Sequence, residues 1–402
     1  MAVWRLLAGG VVLAASGVAP GAPRLEVYVA PTIQYAFEDI WYHTPSGTGT
    51  KFAVAGQVVR HQPAVLLVNI VGAAADAAGR ATVSYDLTVR QPDGTVSVDK
   101  KGLSAITRRQ IAPGYVSLAE TVLGFVADDQ DPQGRYVIHV VAHDQISGAQ
   151  ADAQAELEVV TLEQLHGPPA DFDADRWLTH YYLKPEPQLA LPALLALSHK
   201  PDFRRPANRL SPLLGFYEQV LADNPWLAPS FKLRFATTRD DDERRLLSVV
   251  LAYVYRDDAS FARDLPDAAQ RELSDVPRAQ LPLPSTEPTD GGQLDLFWGR
   301  FFASGRFQPI RDLVMVVQND LPYQGALENY RKLTRKPPTV PAVVVKDWIL
   351  GDALWSLGSN AHQHELVRNY LLSLLEANDT SPAVKAALRA ALAGPPPPWS
   401  GK

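Results

Sequence analysis

The chain has 402 residues, 46% of them hydrophobic and 20% charged, with a formal net charge of −6. That balance excludes wholesale disorder and leaves room for two or three domains, while the negative charge and the want of a long Lys/Arg run speak against a nucleic-acid surface. There is no cysteine, which excludes disulfides, thiolate catalysis, Cys-ligated zinc and a lipidated cysteine anchor, and leaves burial as the source of stability.

Residues 1–21 read as a secretory signal peptide. Met1 to Arg5 carries one positive charge, Leu6 to Ala19 is apolar and broken by small residues, and Ala19 and Gly21 are small at positions −3 and −1 of a cleavage after Gly21. At roughly 14 residues the apolar run is shorter than the ~20 of a spanning helix. The expectation is an exported protein, soluble in the periplasm or outside the cell, with no integral membrane segment in the mature chain. The Ala-, Arg- and Pro-rich usage fits a GC-rich bacterial genome.

From residue 25 to 160 the apolar residues alternate. Val83, Tyr85, Leu87 and Val89 share one face of an extended chain, and Thr82, Ser84, Asp86, Thr88 and Arg90 the other. Pro92-Asp93-Gly94 predicts a hairpin turn into Thr95 to Val98. A second hairpin is expected at Asp131-Pro132-Gln133-Gly134, leading into Tyr136, Ile138, Val140 and Ala142 on one face. Further strands are expected at 26–29, 51–59, 64–71, 115–125 and 155–160. The order of the Pro-Asp-Gly turn, the Asp-Pro-x-Gly-x-Tyr strand and the closing strand resembles bacterial immunoglobulin-like or fibronectin-type domains, over about a third of the chain. That resemblance implies an antiparallel β-sandwich over 25–160.

After Leu165-His166-Gly167-Pro168-Pro169 the period becomes helical. Trp177, Leu178, Tyr181 and Tyr182 form one face, ended by Pro185 and Pro187. Leu210, Leu213, Leu214, Tyr217 and Leu221 form a second, and Leu246, Leu247, Val250, Leu251 and Val254 a third. Leu294, Phe297, Trp298, Phe301 and Phe302 stop at Gly305, and Pro309 opens the next helix. Lys346 to Leu357 is expected to end at Gly358, with Ser359 or Asn360 capping a following helix. Such helical hairpins are similar to TPR-like or HEAT-like solenoids, although no fixed repeat length is present. The phrases Tyr181-Tyr182-Leu183-Lys184-Pro185 and Phe301-Phe302-Ala303-Ser304-Gly305 resemble those of uncharacterised bacterial secreted proteins, a likeness that implies no activity. The fold class is thus all-β plus all-α: an immunoglobulin-like sandwich, then a solenoid-like or irregular helical-bundle domain over 170–393. A Pro-rich loop or linker is expected at 281–292, and a Pro-rich tail at 394–402.

Candidate chemistry is sparse. Asp129 to Gly134 opens like a calcium loop but has Val140 where a bidentate Glu is required. Asp171, Asp173 and Asp175 alternate, with Arg176 at the glycine position, and read as helix-capping charges. The histidines lack a zinc signature: His364-Glu365 has no second His at helical spacing, and His139 with His143 gives two ligands without a third. Ser97-Val98-Asp99-Lys100 lies on a strand, where a Ser-x-x-Lys nucleophile needs a helix. No cofactor is expected.

The remaining signal is aromatic. Trp177, Tyr181, Tyr182, Trp298 and Trp355 are candidates to line a groove for an envelope protein or peptide. The leading expectation is therefore a non-enzymatic binding or scaffold protein with the helical half as the binding surface. One alternative is an envelope hydrolase of a glycan or peptide, with Asp295 and Glu218 as carboxylates. Another is a surface adhesion or assembly subunit.

Overall fold

The computed structural model describes residues 11–12, 24–45, 49–112, 115–204, 210–258, 260–277, 281–333 and 339–394. The expected signal peptide, apart from the backbone of Val11–Val12, lies outside the described residues, as does the Pro-rich tail beyond Gly394. The chain forms two compact units, Met1–Phe37 with Ser46–His166, and Glu38–Pro45 with Gly167–Lys402.

The first unit is β-rich. Its strands are β1 (Val11–Val12), β2 (Glu26–Thr32), β3 (Lys51–Phe52), β4 (Gln57–Val59), β5 (Ala64–Val71), β6 (Arg80–Arg90), β7 (Val96–Gln110), β8 (Ser117–Leu118), β9 (Leu123–Phe125), β10 (Gly134–Asp144) and β11 (Gln150–Val160). One sheet has the order β4-β11-β10-β6-β7, a second the order β2-β5-β8 with β9 also on β5, and β1 pairs with β3. The ladders are antiparallel except β4–β11. The alternation seen in sequence is the burial pattern: Val83, Tyr85, Leu87 and Val89 from β6 and Tyr136, Ile138, Val140 and Ala142 from β10 join Val27, Leu66, Val68 and Ile70 of the other sheet in one core.

The Pro92-Asp93-Gly94 hairpin forms between β6 and β7, with Gly94 at φ 88°. The hairpin expected at Asp131 to Gly134 does not. That turn joins β9, which pairs with β5, to β10, which pairs with β11 and β6, so the chain changes sheets there. The turn's own acids fold it. Asp128 Oδ1 accepts the amides of Gln130 and Asp131, and Asp131 Oδ2 accepts that of Asp128. These oxygens serve as Asx-turn acceptors. The single strands expected at 51–59 and 115–125 are each divided in two.

The second unit is helical, and among the described residues no strand follows Val160. Its helices are α1 (Phe37–His43, counted here from Glu38), α2 (Ala174–His180), α3 (Ala190–Ser198), α4 (Ser211–Asp223), α5 (Ala228–Thr237), α6 (Asp241–Val254), α7 (Asp267–Asp275), α8 (Gly291–Ser304), α9 (Phe307–Asp320), α10 (Ala326–Arg331), α11 (Ala342–Gln363), α12 (Glu365–Glu376) and α13 (Pro382–Ala393). Asp173 caps α2 by accepting the amides of Asp175 and Arg176, as its capping reading requires. Gly305 ends α8 in the left-handed conformation, φ 70°.

Gly358 does not end a helix. α11 runs through it to Gln363, and a Cβ on Gly358 would lie 2.6 Å from the carbonyl oxygen of Ala391. The glycine is there to let α13 approach, a use of glycine that local sequence does not distinguish from a C-terminal stop. Residues 281–290 are irregular, and Gly291-Gly292, expected in the linker, form the first turn of α8. No helix among the described residues is long and apolar enough to cross a membrane.

Candidate binding surface

α8 is seated against α4 at backbone distance. A Cβ on Gly299 would fall 2.0 Å from the Pro212 oxygen, and one on Gly215 2.3 Å from the Leu296 oxygen. Asp290 opens α8 by accepting the Gln293 amide. The inner face of α8 then meets an aromatic core. The Tyr182 ring lies 5.0 Å from Phe301, and its Oη is 3.2 Å from His364 Nδ1. Tyr370 Oη donates to the Gly305 carbonyl at 2.5 Å. The α1 segment belongs to this core: His43 stacks on Phe307 at 4.0 Å, and Asp39 Oδ2 accepts the Phe307 amide at the start of α9. Burial, then the neighbouring His180, depresses His364 to about 4, so its ring is neutral at pH 7.

This packing decides where the five aromatic candidates lie. Tyr181, Tyr182 and Trp298 are 3%, 2% and 4% exposed. Trp177 is half-buried, edge-on to Tyr181 at 5.1 Å and to Phe216 at 5.5 Å. In this conformation Tyr181, Tyr182 and Trp298 are core residues and do not line a surface groove; large aromatics at helical spacing gain most by mutual burial. Trp355 differs, being 58% exposed.

Trp348, one of the aromatics of the helical half but outside the five, is 61% exposed. On α11 the buried residues are Val344, Ile349, Leu350, Ala353, Leu357, Gly358, Ser359 and Ala361. Trp348, Asp352 and Trp355 follow one another at spacings of four and three, which places them on one side of the helix. Both indoles fall off the Leu350–Ala353–Leu357 stripe, although the chain alone does not say which side of α11 is packed.

Carboxylates gather beside that stripe. Asp352 Oδ2 lies 3.5 Å from where a Cβ on Gly291 would sit, at the first turn of α8. Asp295, one turn further on, is exposed. Desolvation, then the charges of Asp352 and Asp290, pushes its carboxyl up to about 6. Desolvation also raises Asp352. The acids that act on Asp295 are thus Asp352 and Asp290, and Glu218 is engaged elsewhere. Arg256 holds Glu218 Oε1 at 2.9 Å, and Arg300 holds Oε2 at 2.9 and 2.6 Å.

A cavity of about 340 Å³ is lined by Leu178, Phe203, Leu210, Pro212 and Leu213, with Asp175 and Asp202 at it. Its size is at the small end for ligand sites, and Lys200 is paired with Asp175. His199, Asp240 and Asp242 bring three ligand atoms within 4.8 Å of one another. However, Arg204 holds Asp242 at 2.5 Å and Asp240 caps α6 through the Glu243 amide. The positive end of a helix disfavours a cation there. His139 and His143 do share a sheet face, but each pairs with its own acid, Asp152 and Asp86; four residues of strand separate them by ~13 Å, too far for one ion.

No family model and no curated protein matches the chain. Among solved structures, the sporulation control protein Spo0M from Bacillus subtilis aligns with a TM-score of 0.21 and 10% identity, over 34% of this chain and 49% of Spo0M, so that the chain spans about half of that protein's length. The CARDB domain of a Pyrococcus furiosus protein, solved with di-metal ions, gives 0.19 and 12%, covering 36% of this chain and 95% of the domain. A family 123 glycoside hydrolase from Clostridium perfringens gives 0.19 and 6%, over 34% of this chain and 27% of the enzyme. Likenesses this slight carry no conclusion about function.

Proposed function

We propose that this chain is an exported, non-enzymatic binding or scaffold protein of the bacterial envelope. The first unit is an immunoglobulin-like sandwich acting as spacer or second contact module, and the second is a solenoid-like array whose surface takes a protein or peptide. In support of the sandwich, Tyr136 Oη donates to the Pro132 carbonyl at 2.8 Å, four residues upstream, in the manner of a tyrosine corner. The observation that carries the binding role is the exposed side of α11. It holds two tryptophans, 61% and 58% exposed, on a helix whose other side is core. Indoles this exposed on a helix are anchors for a partner, since Trp is enriched where interface energy concentrates.

The test is a photo-crosslinking amino acid at Trp348 in the full chain, expressed in an exporting bacterium. Discrete adducts are expected from position 348 and not from Leu233 on α5, which is 66% exposed. Equal labelling from both positions, or none, removes the basis for the role. The mass of the exported product tests export itself, with loss of residues 1–21 expected.

One observation favours a second reading, an envelope hydrolase: Asp295 is held protonated up to about 6 beside a second carboxylate, Asp352. That reading requires degradation of envelope glycan or peptide by the purified chain, abolished in Asp295→Asn.

A further inference from the structure

We propose that the Trp348–Asp352–Trp355 side of α11, with the first turns of α8, binds a cationic stretch of a partner polypeptide, its Lys or Arg heads on Asp295 and Asp352 and their stems against the Trp348 indole. This rests on the binding role above and names the chemistry of its ligand.

Charge complementarity carries the argument. Asp352 Oδ2 reaches to within 3.5 Å of where a Cβ on Gly291 would sit, and Asp352 and Asp290 both act on Asp295 one turn along α8. Among the described residues none of the three forms an ion pair, whereas acids such as Glu218, Asp223, Glu243 and Glu272 elsewhere in the unit each hold an arginine. A neutral or acidic occupant would desolvate these carboxylates without replacing the water they lose. A cation answers the charge.

The tryptophans select for the same ligand. Trp348 and Trp355 lie about 6 and 4.5 Å along the helix axis on either side of Asp352. An indole face attracts ammonium and guanidinium groups and covers their aliphatic stems. Gly351, on the same side, is open, with nothing within 4 Å of a Cβ placed there. The chain's net charge of −6 steers a basic partner toward it.

The test is titration of the full chain with fluorescent ten-residue peptides, one alternating Lys and Gly, one Gln and Gly, one Glu and Gly, at low and high salt. The Lys peptide should bind at least about tenfold tighter than the Gln peptide, and the difference should shrink as salt screens it. The pair Asp295→Asn with Asp352→Asn should lose about tenfold, and Trp348→Ala likewise. The same charge change at exposed Asp275 and Glu376 should leave binding unchanged. Equal affinity for Lys and Gln peptides, or equal loss in the control pair, overturns the cationic assignment while leaving peptide binding intact. A dimer that dissociates when Asp295 and Asp352 are neutralised also overturns it, by making a second copy the occupant. Failure of every peptide, with no adducts from position 348, overturns the binding role itself.

Discussion

Gly299 and Pro212 meet backbone to backbone: a single added carbon on Gly299 would stand 2.0 Å from the Pro212 carbonyl oxygen and 2.7 Å from the Phe216 nitrogen. Neither obstacle is a flexible side-chain tip, so relief requires α4 and α8 to separate. Gly299→Ala should therefore destabilise the helical unit by about 3 kcal/mol, the upper part of the usual overpacking range. Ala at Gly351, where there is open space, should be neutral or stabilising by up to ~1 kcal/mol through helix propensity. Urea unfolding of the two variants checks the contrast; equal midpoints would remove the close crossing.

The tryptophans divide into two classes with opposite expectations. Trp298→Ala empties a core site 4% exposed and should cost ~3–5 kcal/mol. Trp348→Ala removes a side chain 61% exposed and should change stability by less than ~0.5 kcal/mol. Thermal melts distinguish them, and Trp348→Ala must remain folded for its binding loss to be read.

His364 sets one pH dependence. Its folded value is about 4 against an ordinary 6.5. Between those values the unfolded chain binds a proton that the folded chain refuses, so stability is full above 6.5 and falls as the pH drops toward 4. The loss is on the order of 3 kcal/mol. His364→Phe should flatten that slope while costing ~1 kcal/mol at pH 7 from the lost Tyr182 bond. An unchanged slope in urea titrations at pH 7, 5.5 and 4.5 would contradict the assignment.

Asp295 has the opposite sign. Its carboxyl, raised from 3.8 to about 6, keeps a proton in the folded chain that the unfolded chain has already lost. Stability from this group is present below 3.8 and lost as the pH rises through 6. Asp295→Asn should therefore gain on the parent in melting temperature from pH 4 to 6, then hold a constant lead. A difference independent of pH would sink the proposed crowding of Asp295, Asp352 and Asp290.

Glu218 on α4 ties Arg300 of α8 to Arg256 in the turn that follows α6. Glu218→Ala takes the carboxylate from the half-buried Arg300 and leaves Arg256 with the more exposed Asp257, and should cost about 3 kcal/mol. Adding Arg300→Met to it should recover part of that loss, which a double-mutant cycle measures directly.

Elements with a local physical signature were legible from the chain alone. Tyr85, Leu87 and Val89 announce β6 because side chains alternate across a strand, and Leu213, Leu214, Tyr217 and Leu221 announce α4 because they recur at helical spacing. The cap at Asp173 and the stop at Gly305 were legible for the same reason, since each acts on backbone groups within its own turn. The short α1 was not, because what holds Glu38–Pro45 is Phe307 and Tyr370, over 260 residues away. The sheet change at Asp131 and the continuity of α11 through Gly358 were hidden likewise.

The site divides along the same line. Sequence alone determined that aromatics abound in the helical half and that Asp295 is a carboxylate on an amphipathic helix. It could not say which indoles face inward, because burial depends on what packs against the other side. Only the tertiary structure put Tyr181, Tyr182 and Trp298 in the core, left Trp348 and Trp355 outside, gave Asp295 the company of Asp352 and took Glu218 away to two arginines. The reason is range: periodicity and capping act within a few residues, whereas desolvation and charge coupling depend on groups brought together from distant parts of the chain.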